Sequence, residues 1–453
     1  MLQISHLSFS YHDQIIFQNL NLNFSASEII AIIGDNGAGK TTLLRLIAGE
    51  LIPDNGATRK NGDIRILHQS GKLDDSHPQS GGERTRAELA ALFRASPRIL
   101  LLDEPTNNLD TENKIWLIDQ LHKYRGLVLV VSHDRGFIDA VADKVLEIHN
   151  HSAQLFPGNY SDFITRRIQA EHEQCLAYEK IQRQKKQLVR QLKVASDQAH
   201  KSNRRSYNKI DNESKLRYNG QRMGAQNSAG KILRAAQSKL DQLPNLTKPI
   251  ERKTYTAQLT HHINHQKTLL EVTDLYKSYS NKNLFQNLNF TITTGNRVRV
   301  AGRNGAGKST LFQIIMGRIS ADSGIVRLSP GLKLGYISQD DISLDLNRSF
   351  LAQCSGIHPT EIYRAAVTMN FSPSDMSRPV RELSRGQLTK LAILQLILSP
   401  LDLVILDEIT NHLDIRAREN IELALQNYHG AILAATHDEA FAENVGFEQT
   451  IPL

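Results

Sequence analysis

The chain has 453 residues, 40% of them hydrophobic, enough for two or three domains with cores of their own, and its formal net charge is +7. No run approaches about 18 consecutive apolar residues, and the N-terminus lacks the charged start and apolar stretch of a secretory signal, so a membrane span is not expected and a cytoplasmic protein is. Two cysteines, Cys175 and Cys354, provide neither a disulfide framework nor a metal cage, and they are too few to ligate iron–sulfur clusters.

From the N-terminus, the first feature is Tyr11, in the run FSYHDQIIFQNLNLNF. A β-rich segment, IIAIIG, then leads into Gly34–Thr41, which fits G-x-x-x-x-G-K-[ST], and a helical run follows. That order is what a phosphate loop needs. Gly34, Gly37 and Gly39 let successive backbone N–H groups, Asn36 among them, turn inward toward β- and γ-phosphates. Lys40 adds a point charge, Thr41 ligates Mg²⁺, and the helix start at Thr42 adds positive potential.

Downstream lie Gln69 and the stretch Ser80-Gly81-Gly82-Glu83. ILLLDE follows, four apolar residues ending in paired acids, the pattern of a buried parallel strand whose C-terminal end meets the ligand. Asp103 would hold Mg²⁺, and Glu104 would polarise the attacking water or accept its proton. His133 closes the apolar run LVLVVSH and is placed beside the γ-phosphate and the water.

The middle of the chain is basic. Residues 180–260 hold about 19 Lys and Arg against about 5 Asp and Glu, which leaves the remainder near −7. Ile164 to Ser196 contains no Gly or Pro and reads as a helix with Ile181, Leu188, Leu192 and Ala195 on one face. A second helix is expected over Lys231 to Leu243, ended by Pro244. Together they predict an αα-hairpin with a basic tip. Arg204, Arg205, Lys209, Arg217 and Arg222, interleaved with Tyr207 and Tyr218, suit phosphate pairing and base stacking and are the expected RNA contacts. A solvated coiled coil is the plainer reading of such a charge run.

Beyond the middle the first third recurs. KSYSNKNLFQNLNFTI carries Tyr279, which like Tyr11 would stack on adenine. VAGRNGAGKSTLFQIIMG repeats the phosphate loop, with Gly302, Asn304, Gly305 and Gly307 as its turning residues and Lys308, Ser309 and Thr310 at the helix start. Gln339 follows, then Ser384-Arg385-Gly386-Gln387, the acids Asp407 and Glu408, and His437. From serine to aspartate is about 23 residues in both copies, and from aspartate to histidine about 30. One interval differs: Gln69 to Ser80 is about 11 residues, Gln339 to Ser384 about 45.

These residues resemble those of the ATP-binding cassette superfamily over nearly everything outside the basic middle: two Walker A loops, Q-loop glutamines Gln69 and Gln339, two signatures, Walker B strands, D-loops ending in Asp110 and Asp414, and H-loop histidines. Two cassettes in one chain with a charged helical linker resemble the ABC-F family of translation ATPases. The resemblance implies an α/β fold of two P-loop NTPase domains joined by an α-helical hairpin: a first cassette over 1–163, a basic linker over 164–262 and a second cassette over 263–453. It implies a monomer whose cassettes sandwich ATP head to tail, with Lys40 and Glu104 opposite Ser384 and Gly386, and Lys308 and Glu408 opposite Ser80 and Gly82. Mg²⁺ would be shared by Thr41, Gln69 and Asp103, and by Ser309, Gln339 and Asp407. The implied partner is the 70S ribosome, with the hairpin among rRNA and P-site tRNA near the peptidyl-transferase centre. The resemblance implies that the short interval leaves the first cassette a truncated helical subdomain, with almost none of the part that grips a transporter, and no arm of the kind some housekeeping ABC-F members carry, which resembles the antibiotic-resistance, ribosome-protection members. Arg385 stands where the family usually has glycine, and Ile409 where the first copy has Pro105. A housekeeping translation factor and a DNA-binding or repair ATPase stay open as alternatives; fused cassettes and the basic middle argue against a transporter subunit.

Overall fold

The computed structural model describes residues 2–12, 14–68, 81–107, 109–204, 235, 237–238, 267–279, 282–338, 344–354, 356–369, 371–410 and 413–453. They form two compact units, one of residues 1–163 with 253–453 and one of residues 164–252.

Within the first unit, the N-terminal cassette pairs β1 (Leu2–Tyr11) with β2 (Gln14–Phe24), then places β3 (Ile29–Gly34), α1 (Lys40–Ala48), β4 (Asn55–Lys60) and β5 (Ile64–Leu67). It continues through α2 (Gly81–Ala95), β6 (Ile99–Asp103), α3 (Thr111–Lys123), β7 (Leu127–Val131), α4 (Arg135–Val141), β8 (Lys144–His149) and β9 (Ser152–Pro157). Two sheets result, β2-β1-β4 and β5-β6-β7-β3-β8-β9. The larger is parallel except for its last strand, β9. Its β6 and β7 are buried at every position, as strands covered on both faces must be, which is why the sequence shows unbroken apolar runs rather than alternation.

The two sheets share one core. Phe17 and Phe24 from the smaller sheet, Leu43 and Ile47 from α1, and Leu101 and Leu129 from the larger sheet belong to one buried cluster, so α1 is fixed by its apolar face on both sides. Truncating Leu43, which is fully buried, would cost about 2–5 kcal/mol.

The C-terminal cassette repeats the plan with β10 (Thr268–Tyr279), β11 (Lys282–Thr293), β12 (Arg297–Ala301), α6 (Lys308–Ile315), β13 (Ser323–Leu328) and β14 (Leu334–Ser338). Three short helices, α7 (Phe350–Gln353), α8 (Pro359–Thr368) and α9 (Pro373–Ser377), precede α10 (Arg385–Leu398), β15 (Leu403–Asp407), α11 (Ile415–Gln426), β16 (Ala431–Ala435), α12 (Glu439–Val445) and β17 (Gln449–Pro452). Its sheets are β11-β10-β13 and β14-β15-β16-β12-β17. The duplication reaches backbone detail: the β1–β2 and β10–β11 pairs carry irregular register at matching places, with positive φ at His6 and Asn19 in the first pair and at Asp274 and Asn287 in the second. The helices α7 to α9 occupy the interval that the first copy shortens, and they bury Phe350, Ile362 and Met376 in a core with α10.

The helix expected from Ile164 is present as α5 (Tyr160–Arg204), anchored at its start by Tyr160 and Phe163, the latter edge-on to Phe156. In the second unit, Ile181, Leu188 and Leu192 are half-buried along one face of α5, as their spacing predicts. The helix expected over 231–243 lies almost wholly outside the described residues, as do Arg205, Tyr207, Lys209, Arg217, Tyr218 and Arg222. Arg204 ends α5, and its side chain is not among those described.

Candidate nucleotide sites

Strand order places the motifs. In the N-terminal cassette β6, β7 and β3 are neighbours, so Asp103 with Glu104, His133 and the loop from Gly34 all leave the C-terminal ends of adjacent strands. β15, β16 and β12 do the same for Asp407 with Glu408, His437 and Gly302.

Both phosphate loops rest on glycine backbone. Gly37 and Gly39 have φ of 82° and 100°, Gly305 and Gly307 of 73° and 103°, values that a side chain resists. At Gly39 a Cβ would also meet Ile16 Cγ2 at 2.5 Å and Phe17 Cζ at 2.8 Å, so the loop can only close onto β2 without one. Gly39 and Gly307 each cap a helix without a side-chain bond, leaving the first N–H groups of α1 and α6, at Lys40-Thr41-Thr42 and Lys308-Ser309-Thr310, to bind an anion.

The buried ammonium of Lys40 donates to the carbonyls of Gly34 and Asp35 at 2.8 and 3.0 Å. Burial lowers its pKa, opposed by the charges of Glu104, Asp414 and Asp35. Lys308 donates to Gly302 O at 2.9 Å and lies 2.7 Å from His437 Nε2 and 3.4 Å from Glu408 Oε1. Each histidine faces its glutamate: Nε2 to Oε1 is 3.3 Å for both His133–Glu104 and His437–Glu408.

Both glutamates have left-handed backbone, with φ of 51° at Glu104 and 53° at Glu408. Such a conformation costs a residue with a Cβ about 1–2 kcal/mol. It is held because Glu104 N donates to Val131 O and Glu408 N to Ala435 O, each carbonyl ending the neighbouring strand. The strained turn aims the carboxylate at the lysine and histidine, and strain that recurs at equivalent residues is a mark of function. Burial pushes the Glu104 carboxyl up to about 7, with Lys40 and Arg418 pulling against it, and burial raises Glu408 as well. Burial also raises Asp103, and takes Asp407 up to about 6.

A divalent cation fits the donors present. Asp103 hydrogen-bonds the Thr41 side chain and Asp407 that of Ser309, yet the second carboxylate oxygen of each, Oδ1, is buried without a hydrogen-bond partner among the described residues. A hydroxyl and a carboxylate side by side, with an acceptor to spare, are hard ligands of the kind Mg²⁺ takes. Gln69, Gln339 and Ser80 lie outside the described residues. Gly81, Gly82 and Glu83 open α2. Ser384 caps α10 in a capping box with Gln387, next to Gly386, and the side chain of Arg385 is not described. Tyr11 and Tyr279 are partly exposed, at 39% and 47%; Phe9 meets the Tyr11 ring edge-on at 4.9 Å, and the Lys277 ammonium lies 5.2 Å over the Tyr279 ring.

The two cassettes touch at these sites. Asp414, capping α11, accepts from Asn36 N of the first phosphate loop at 3.4 Å and from Lys390 of α10 at 3.0 Å. The helix that begins with the second signature is therefore tied through Lys390 and Asp414 to the Walker A loop of the first cassette. Arg416 pairs with Asp35 at 3.3 Å, and Arg303 with Glu112 at 2.6 Å. Sequence reasoning named none of Lys114, Lys390, Arg416 and Arg418. One signal was present: Lys114 and Arg418 each stand four residues beyond a D-loop aspartate.

The sequence matches the family described as ABC transporter over residues 17–76 and 285–411. It is 33% identical over 475 residues to ribosome protection protein VmlR of Bacillus subtilis strain 168, covering 97% of this chain and 84% of that one. Identity to energy-dependent translational throttle protein EttA of Escherichia coli K12 is 29% over 517 residues, covering 95% of this chain and 88% of the relative. Among solved structures, an RNase-L Inhibitor shares the fold with a TM-score of 0.64 at 17% identity, over 99% of this chain and 87% of that one. No helix among the described residues is long and apolar enough to cross a membrane.

Proposed function

The chain belongs to the ABC-F family of ATP-binding cassette ATPases, and from that premise we propose that it is a cytoplasmic ribosome-binding protein whose cassettes close on ATP and whose 164–262 linker enters the ribosome near P-site tRNA, protecting the peptidyl-transferase centre from an antibiotic. The observation that supports this reading best is the likeness to VmlR over 97% of this chain, together with an interval of only residues 68–80 between β5 and α2 of the first cassette.

In this reading Lys40 and the N–H groups around Gly37 and Gly39 bind the β- and γ-phosphates of one ATP, and Lys308 with Gly305 and Gly307 those of the other. Thr41 with Asp103, and Ser309 with Asp407, would hold Mg²⁺, which neutralises charge on the phosphates when bound. Glu104 and Glu408 orient the attacking water and take its proton; His133 and His437 fix that carboxylate and face the γ-phosphate. Ser384 and Gly386 complete the first site, Ser80 and Gly82 the second. ATP favours the closed arrangement because only that arrangement offers it both surfaces, and hydrolysis removes the preference.

Glu104→Gln with Glu408→Gln should bind ATP without cleaving it and co-sediment with 70S ribosomes in ATP but not in ADP. A double variant that binds ATP yet sediments free of ribosomes at low salt would count against the proposal. The likeness to EttA favours a second reading, a housekeeping translation factor. Expression in a drug-sensitive host separates the two: a raised inhibitory concentration supports protection, and unchanged susceptibility with retained ribosome binding supports housekeeping.

A further inference from the structure

The contact between cassettes contains a reciprocal device that none of the nucleotide motifs includes. Asp110 and Asp414 cap α3 and α11, accepting from Asn113 N and Ala417 N. One turn into each helix stands a cation. Lys114 Nζ donates to Asp134 Oδ2 at 2.6 Å and to the backbone carbonyl of His437 at 3.3 Å. Arg418 Nη1 donates to Asp438 Oδ2 at 2.9 Å and to the backbone carbonyl of His133 at 2.8 Å.

Each cation therefore grips two His-Asp pairs at once: the aspartate of its own cassette and the histidine carbonyl of the other. Asp134 and Asp438 are themselves anchored, capping α4 and α12 through Phe137 N and Phe441 N. Arg418, Asp438 and His133 are buried, and Lys114 nearly so, so these bonds are shielded from water and salt. Both Arg418 bonds leave from one nitrogen, and its Nε is buried with no partner among the described residues. An ammonium can make the same two bonds, as Lys114 does in the other copy.

We infer that Lys114 and Arg418 are positioning residues for ATP hydrolysis, each holding the histidine of the opposite cassette against its glutamate so that cleavage is competent only while the cassettes are seated together. Neither touches the reacting atoms in this reading. Each charge also draws the nearby Glu104 or Glu408 carboxyl downward in pKa, but the bond itself is to the carbonyl of a histidine whose ring lies 3.3 Å from that glutamate, and a misplacement of the ring by about 1 Å is enough to cost roughly a hundredfold in rate. The ATPase activity would thereby be gated by assembly of the interface, and each site would register the other. The inference rests on the assignment of the two glutamates and histidines to the ATP sites.

The test uses the full chain with Glu408→Gln, so that only the first site turns over, and follows single-turnover hydrolysis and ATP affinity separately. Arg418→Ala, a change in the second cassette, should slow hydrolysis at Glu104 by roughly tenfold to a hundredfold while ATP affinity stays within about twofold. Arg418→Lys should recover hydrolysis to within about threefold of the parent, and Arg418→Gln should not. Glu112→Ala, which breaks an exposed cross-cassette ion pair touching neither histidine, should change little. Unchanged hydrolysis in Arg418→Ala, equal loss of affinity and hydrolysis, or a lysine variant as slow as the glutamine one overturns the inference. If the alanine variant does not fold, the lysine and glutamine variants decide alone. Failure of the underlying site assignment shows separately, as hydrolysis that survives Glu104→Gln with Glu408→Gln.

Discussion

A buried histidine beside an ammonium must be neutral, and His437 shows it: burial, then the charges of Lys308 and Lys114, push its pKa down to about 4. The sign follows from linkage. In the unfolded chain the imidazole takes its proton near pH 6.5, and the folded protein refuses it until about 4, so stability present above about 6.5 is lost as pH falls through that window, by about 3 kcal/mol. Asp407 and Glu104, whose pKa values are raised, act in the opposite sense, stabilising the fold at low pH and less so as pH rises. His437 is therefore read by difference. Without nucleotide, the urea midpoint of the protein should fall more steeply between pH 6.5 and 4.5 than that of His437→Gln; parallel curves would refute the assignment.

Among the helices, α4 and α12 occupy equivalent places yet are fastened differently. Arg135 of α4 forms a buried ion pair across the cassettes with Glu422 of α11, which also accepts from Asn444. At the equivalent place in the other copy, Glu439 of α12 turns back to Arg299 of its own cassette at 2.7 Å, and the residue matching Glu422 is Ile118. Glu422→Ala leaves Arg135 charged, buried and unpaired, and should lower stability by about 3–5 kcal/mol. Glu439→Ala breaks a pair whose acid is largely exposed, and should cost about 1 kcal/mol or less. Paired thermal denaturation of the two variants checks the contrast, and equal shifts would mean that the cross-cassette pair is not buried in solution. The elements themselves were legible: IIAIIG, ILLLDE and LVLVVSH became β3, β6 and β7, because strands buried on both faces must be apolar throughout. The fastening was not, because Arg135 and Glu422 lie 287 residues apart and each reads alone as an ordinary surface charge on a helix.

Across the whole molecule, labour in the proposed function is divided between the ATP-binding cassettes and the basic linker. Changing Arg217, Tyr218 and Arg222 together to alanine should leave ribosome-free ATP hydrolysis within about twofold and abolish drug protection, while ribosome retention of the Glu104→Gln, Glu408→Gln form becomes more salt-sensitive because phosphate contacts are fewer. Inhibitory concentrations and sedimentation over a salt series measure both effects. Protection that survives the triple change would move the recognition elsewhere in the linker or to the cassettes.

Duplication, the two phosphate loops, the acids at the strand ends and the family follow from the sequence by itself, since glycine turns, apolar strands and fixed spacings are local chemistry that a linear chain displays. Only tertiary structure decided the left-handed backbone at Glu104 and Glu408, and the grip of Lys114 and Arg418 on the opposite histidines. The reason is physical. A strained φ is imposed by a carbonyl of the neighbouring strand, and a carbonyl acceptor carries no side-chain identity, so the matched places of Lys114 and Arg418 do not by themselves announce that His437 and His133 will be held from 323 and 285 positions away.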